Sequence, residues 1–337
     1  MKYTFLSVLF FITEFVLAEP YIPNNDYIVA PASSLHNAQL SSEELQALLL
    51  TSQNIGQTEL NQGLLKHQLS ERYHSADSPE ISYLYARVLQ REHLFNEALA
   101  VINTLLKNHP EHLNARLLKA NMLMVQGLFS DAKQQCLALF GIASIETIST
   151  CTFDIASQNG QLATSYQSLL KITQGRPISQ YTRHVLAEMA LRLAMPQQAL
   201  KHIESVNLKQ APVSLLVVWA DAQLASKNYT LLTNTITSLV NDSSNLEDAL
   251  LLRLAQAEKN DHKNTNHVWQ KQMAKRVTLR ELRHDTFHAS DLANYYLTID
   301  KNSKQALYWA TINWQTAKLH SDKLLLSLAK KQHQGQR

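Results

Sequence analysis

The chain has 337 residues, of which 45% are hydrophobic and 18% charged, with a formal net charge of +3. So small a surplus excludes the strongly basic footprint of a nucleic-acid-binding protein. It contains 7 glycines and 8 prolines, each about 2% of the chain against usual shares of about 7% and 5%, and this scarcity of helix breakers argues for an all-helical protein.

The first 18 residues stand apart. Lys2 precedes a short apolar run from Phe5 to Ile12, and Val16-Leu17-Ala18 sets small residues before Glu19 and Pro20. This is a secretory signal-peptide pattern, with cleavage expected after Ala18. The run falls short of the roughly 20 apolar residues of a spanning helix, and Glu14 interrupts it. No later segment is apolar enough to span a bilayer, so the mature chain is expected to be secreted, most simply into a bacterial periplasm. Asn228-Tyr-Thr and Asn241-Asp-Ser are glycosylation acceptor patterns, which an extracellular eukaryotic origin would also use.

Residues 19–40 read as an extended N-terminal segment. Ser41-Ser42-Glu43-Glu44 then gives a capping box that opens a helical hairpin ending near Tyr73. From Pro79 a longer pattern begins: a helix over about 80–92, a tight turn, a helix over about 95–107, and Pro110 beyond it. Ala86, Ala98, Ile102 and Leu105 reappear 34 residues later as Ala120, Ala132, Cys136 and Leu139, and again as Ala187, Ala199, Ile203 and Val206. Self-similarity at this period means stacked helical hairpins, each burying its apolar face against its neighbours. Units follow at 113–145, 146–178, 180–212, 213–245, 246–280 and 287–318. The 246–280 unit is degenerate, with Ala255 but His267 in the later small position. The last is weak, carried by Asn294, Ala306 and Trp309. Residues 319–337 read as a polar capping helix and tail.

The turn His93-Leu94-Phe95-Asn96-Glu97-Ala98 corresponds to Gly127-Leu128-Phe129-Ser130-Asp131-Ala132. A small residue at the eighth position of the first helix, Gly-x-aromatic-x-x-Ala across the turn and a closing Pro together resemble the tetratricopeptide repeat. The resemblance covers roughly 41–318, although Ser82, Arg116, Ser149 and Arg183 stand where that family carries Trp. It implies an all-α, right-handed superhelical solenoid of about seven hairpins with a C-terminal capping helix, acting as a non-catalytic scaffold for a protein or peptide. It also implies that the first helix of each hairpin lines a concave groove, its ninth position facing inward. That column reads Arg87, Asn121, Asp154, Glu188, Asp221 and Gln256, with Tyr83, Met124, Thr150, Tyr181, His184 and Leu191 beside it. Three carboxylates in succession favour a cationic ligand or a Lys/Arg-rich peptide.

Chemistry beyond binding finds little support. His284 and His288 are four apart, and His109 and His112 form a second pair, but no HExxH or paired-Cys spacing supplies a third or fourth metal ligand. No Gly-x-Ser-x-Gly elbow or phosphate-cradling glycine loop occurs. Glu43/Glu44 and Glu247/Asp248 fall at helix starts, where carboxylates complement the dipole. No cofactor is implied. Cys136 and Cys151 lie symmetrically about the loop joining two antiparallel helices, so both side chains sit at one height; they form either a disulfide or two buried thiols. Residues 263–337 hold 13 basic and 5 acidic side chains, against 17 and 22 in 19–262, which makes the C-terminal segment a rival surface for an acidic partner. The reading that results is a periplasmic scaffold in envelope assembly or secretion, the alternative being a module for a cell-wall glycan or other small ligand, recognised by stacked Tyr and Trp such as Trp309 and Trp314.

Overall fold

The computed structural model describes residues 39–75, 78–240, 245–261 and 266–335. The expected signal peptide, nearly all of the 19–40 segment and Asn241 lie outside them. Among the described residues there are seventeen α-helices and no β-strand. Hairpins form from α1 (Ser42–Thr51) with α2 (Gln62–Ser75), α3 (Pro79–Arg91) with α4 (Phe95–Asn108), α5 (Leu113–Val125) with α6 (Phe129–Leu137) and α7 (Ile145–Gln158) with α8 (Leu162–Thr173). They continue with α9 (Gln180–Arg192) and α10 (Pro196–Ile203), α11 (Val213–Ala225) and α12 (Tyr229–Leu239), α13 (Asp248–Asn260) and α14 (Val268–Leu282), and α15 (Ala289–Thr298) and α16 (Ser303–Thr316). The capping helix is α17 (His320–Gln334). The all-helical hairpin array read from the 34-residue echo is the observed fold.

Local chemistry sets the boundaries. Ser41 and Glu44 form the reciprocal capping box of α1. Ser78, Ser144 and Ser179 cap α3, α7 and α9 through their hydroxyls, and Pro79 and Pro196 occupy first turns, where a missing N–H costs nothing. Six of the eight hairpins turn on one left-handed residue two positions before the second helix. His93, Gly127, Gly160, Ala194, Lys227 and Lys301 all have φ between 57° and 87°. Only two of the six are glycine, and each of the others costs about 1 kcal/mol or more in this region, so packing of the hairpins enforces the turn.

The small-residue column is buried: Ala86, Ala187, Ala220 and Ala255 are at 0% exposure and Ala120 at 2%. Two register expectations need correction. In the last hairpin Ala293, not Asn294, is the buried small residue, because the α15–α16 turn holds four residues rather than the three between α3 and α4. His267 is no packing position either; it is exposed, left-handed at φ 51°, and stands immediately before α14, whose buried contacts come from Met273 and Val277.

The larger correction concerns neighbours. Hairpins five or six apart in the chain also touch. The α1–α2 loop meets the starts of α11 and α13: Val213 N–H donates to the Gln53 carbonyl at 2.8 Å, Asn54 bridges Pro212, and Ile55 is buried in the core shared by α9–α17. Gly56 N–H and the Thr58 hydroxyl donate to Glu247 Oε1 at 2.8 and 3.0 Å. At the other end Lys318 N–H donates to the Val125 carbonyl at 2.7 Å, and His320 N–H donates to Gln158 Oε1 at 3.1 Å. Gly127 lies against this contact, since a Cβ there would come within 2.9 Å of Lys318 Cβ. The superhelix is wound tightly enough for successive turns to pack on each other. Its burial is therefore not confined to nearest neighbours.

Candidate functional site

The inner column begins on α3 and runs through the first helix of each hairpin, but its members do not form one continuous ladder. Arg87 donates to the Tyr83 hydroxyl at 3.1 Å, and Tyr83 packs its ring against His112 at 5.5 Å. Asn121 is exposed. Met124 is 6% exposed and packs into the α5–α7 core beside Leu319, so it offers no groove surface. Thr150 is wholly buried and shares a 2.9 Å hydrogen bond with Thr182. Leu191 packs partly buried against the main core. These last three serve packing because the α5–α9 helices bring them under their neighbours.

Asp221, expected as a free groove carboxylate, is tied up. Arg253 of α13 grips it with two hydrogen bonds of 2.8 and 3.0 Å and also pairs with Asp291 of α15 at 3.5 Å. Gln256 donates to the Thr298 hydroxyl at 3.0 Å. Three consecutive inner helices are thus joined by an ion network whose guanidinium satisfies both acids. At this end the concave face is internally neutralised.

Between α7 and α9 the situation differs. Asp154 is 8% exposed and its carboxylate makes no hydrogen bond or ion pair among the described residues. Burial, with the nearby charge of Glu188 adding and Arg192 opposing, pushes its pKa up to about 8. Arg192 does not relieve it, since that guanidinium donates to the Ser157 hydroxyl and carbonyl at 2.9 and 2.6 Å. Gln158 donates weakly to Glu188 at 3.4 Å while its own carbonyl is held by His320. Tyr181, 43% exposed, lies beside them; desolvation of its phenol end, then the charges of Asp154 and Glu188, raise its pKa. Burial lowers the His184 pKa against the pull of Glu188. Four of the expected residues, Asp154, Tyr181, His184 and Glu188, therefore lie in one cluster, with Arg192 close enough to act on both acids while its hydrogen bonds go to Ser157.

Sequence reading passed over Arg192 and Gln158, whose spacing marks them only as helix-surface residues. Glu247 and Asp248 do open α13 as its N-cap and first residue, as expected, but their side chains do more than face the dipole. Glu247 reaches across to Gly56 and Thr58, and the Asp248 side chain is 1% exposed and held by Arg276 at 3.0 Å and Arg280 at 2.7 Å. Glu247 serves a contact between distant hairpins and Asp248 ties the two helices of its own hairpin together, neither of which a local pattern reveals. His112 caps α5 by accepting from Ala115 N–H at 3.1 Å, and His284 is exposed in a left-handed turn. Among the described residues no group of three or more His, Cys, Asp or Glu gathers to hold a metal ion, and no helix is long and apolar enough to cross a membrane. Cys136 and Cys151 form a disulfide between α6 and α7, with Cα atoms 5.8 Å apart.

No protein-family model matches the chain, and no curated protein matches its sequence. Among solved structures, the tetratricopeptide domain of P58(IPK) is similar to it at 12% identity and a TM-score of 0.30, over 88% of this chain and 99% of that one. So loose a superposition adds nothing to what the hairpins themselves show.

Proposed function

We propose that this chain is a non-catalytic, tetratricopeptide-like scaffold of the bacterial periplasm that holds a protein partner during envelope assembly or secretion. The observation that carries the reading is the Asp154–Glu188 pair. With its pKa pushed up to about 8, Asp154 keeps its proton near neutral pH, and a cation arriving from outside would let it ionise beside Glu188. A Lys or Arg side chain on an extended segment of the partner would supply it, its stem lying along Tyr181. Export fits a stabilising disulfide, which persists in oxidising compartments.

The test is a pull-down from envelope extract with the wild-type chain, with a D154N/E188Q variant and with a variant neutralised in the basic 263–337 segment. Loss of the captured partner with D154N/E188Q, and retention with the C-terminal variant, is the expected result. The reverse pattern would move the functional surface to the C-terminal segment. The glycan alternative is not favoured. Trp309 is 4% exposed, and the Trp314 ring is covered by Lys318 Nζ at 4.5 Å, so neither presents an open face to a sugar.

A further inference from the structure

Where the α1–α2 loop closes on α13 and α14, a cleft of about 510 Å³ remains, within the size range of small-molecule sites and too small for a folded partner. None of Asp154, Tyr181, His184 and Glu188 lines it. Its walls carry four arginines, but they are not alike. Arg276 and Arg280 are neutralised by Asp248, and Arg280 also by Asp285. Arg87 and Arg91, one turn apart on α3, pair with no carboxylate. Arg87 donates to the Tyr83 hydroxyl, and Arg91 to the Ser52 hydroxyl and carbonyl and, at 2.7 Å, to the Thr58 carbonyl. Burial and then repulsion from Arg87 lower the Arg91 pKa, with Glu92 pulling the other way, so the two guanidinium charges stand close to one another.

The opposite wall holds a second unmet demand. Glu247 uses Oε1 twice, for Gly56 N–H and the Thr58 hydroxyl, while its buried Oε2 has no hydrogen-bond partner. Thr58 links the two walls, its carbonyl on Arg91 and its hydroxyl on Glu247. Glu59, Asp248 and Asp291 also line the cleft but pair with Arg280, Arg276 and Arg253, which leaves Arg87 and Arg91 without a carboxylate on one side and Glu247 Oε2 without a donor on the other. A buried charged acceptor left unsatisfied costs more than an ordinary hydrogen bond returns, and a guanidinium recognises carboxylates with its forked N–H groups.

We infer that this cleft binds a small organic acid carrying a hydroxyl or amino donor, its carboxylate held by Arg87 in the field of Arg91 and its donor received by Glu247 Oε2. The ligand bridges the α1–α2 loop and α13, so its binding also fastens the closure between distant hairpins.

Isothermal titration calorimetry of the full chain with malate and with succinate tests this, since the two diacids differ only by the hydroxyl. Malate is expected to bind saturably and about tenfold more tightly than succinate, the scale of one hydrogen bond to a charged group. Arg87→Gln should weaken both acids by about tenfold or more, and Arg87→Lys should weaken them less, because it keeps the charge but not the fork. Glu247→Gln keeps the Oε1 contacts while turning Oε2 into a donor, so malate should fall to the level of succinate. Retained helical circular dichroism and thermal midpoint in the two Arg87 variants separate ligand loss from misfolding. Equal affinity for the two acids in the wild type, absence of saturable binding, or unchanged titrations in Arg87→Gln would overturn the inference.

Discussion

Replacing Asp154 by Asn should change how stability depends on pH, and the sign follows from the burial of that carboxyl. Its folded pKa is raised from 3.8 to about 8. The native state therefore binds this proton more tightly than the unfolded chain does. Its contribution is fully present below the unfolded value and is lost as pH rises through the folded one, so wild-type stability falls between about pH 4 and 8 on this account. The limiting slope for one proton is about 1.4 kcal/mol per pH unit. Glu188 shares the site, so the pair titrates as a unit and the slope lies below that limit. Arg192, Tyr181 and His184 face the same pocket from α9 and stay unchanged in the variant, as does His320 beyond Gln158. Asn is close to isosteric and cannot ionise. Urea unfolding of wild type and Asp154→Asn at pH 5, 6, 7 and 8, at matched m-values, should show the variant gaining relative stability as pH rises. Parallel pH profiles for the two proteins would refute the argument, because they would mean that Asp154 is solvated or already paired.

Gly127→Ala and Gly160→Ala separate backbone strain from the closure contact. Both glycines have positive φ, at 79° and 87°, but only at Gly127 would a Cβ strike another side chain, while nothing lies within 4 Å at Gly160. Gly160→Ala should cost about 1 kcal/mol and Gly127→Ala clearly more, measured by thermal or denaturant unfolding; equal costs would mean the α16–α17 turn does not pack there in solution. Removing the Cys136–Cys151 bridge by a double Cys→Ser change should destabilise by about 3 kcal/mol in the chain-entropy description of a loop of this length. Mass spectrometry of the unreduced exported chain should show the linked peptide, and free alkylation of both native thiols would contradict it.

The hairpin register was legible because it is written in local spacing. Ala86, Ala120 and Ala187 repeat where helices must approach closely, and the turn glycines at 127 and 160 lie where φ must be positive. What periodicity does not contain is the pitch of the superhelix. Side chains that meet across it, such as Glu247 with Thr58 or Gln158 with His320, are separated by 189 and 162 positions and share no pattern. The same blindness affected the inner column. Asp154 and Asp221 occupy equivalent positions in their repeats, yet one has no partner and the other is gripped by Arg253. The difference lies in what the next inner helix places opposite. Arg253 stands on α13 to meet Asp221, whereas the residue facing Asp154 from α9 is another acid, Glu188.

Tight winding also changes how the array should respond to damage. In an open solenoid each hairpin depends on its two neighbours, and losses stay local. Here the degenerate 246–280 hairpin carries Glu247, which fastens the α1–α2 loop, and Asp248, which anchors Arg276 and Arg280. Its first helix is among the most buried in the chain, with Leu250, Leu254, Ala255 and Ala257 at 0% exposure. Hydrogen exchange around Gln256 to Lys275 should therefore be no faster than in 113–212, and faster opening there would show the degenerate hairpin to be a weak joint. Glu247, at the start of this hairpin, holds the α1–α2 loop on α13, and contacts of that kind should couple distant hairpins beyond nearest-neighbour packing.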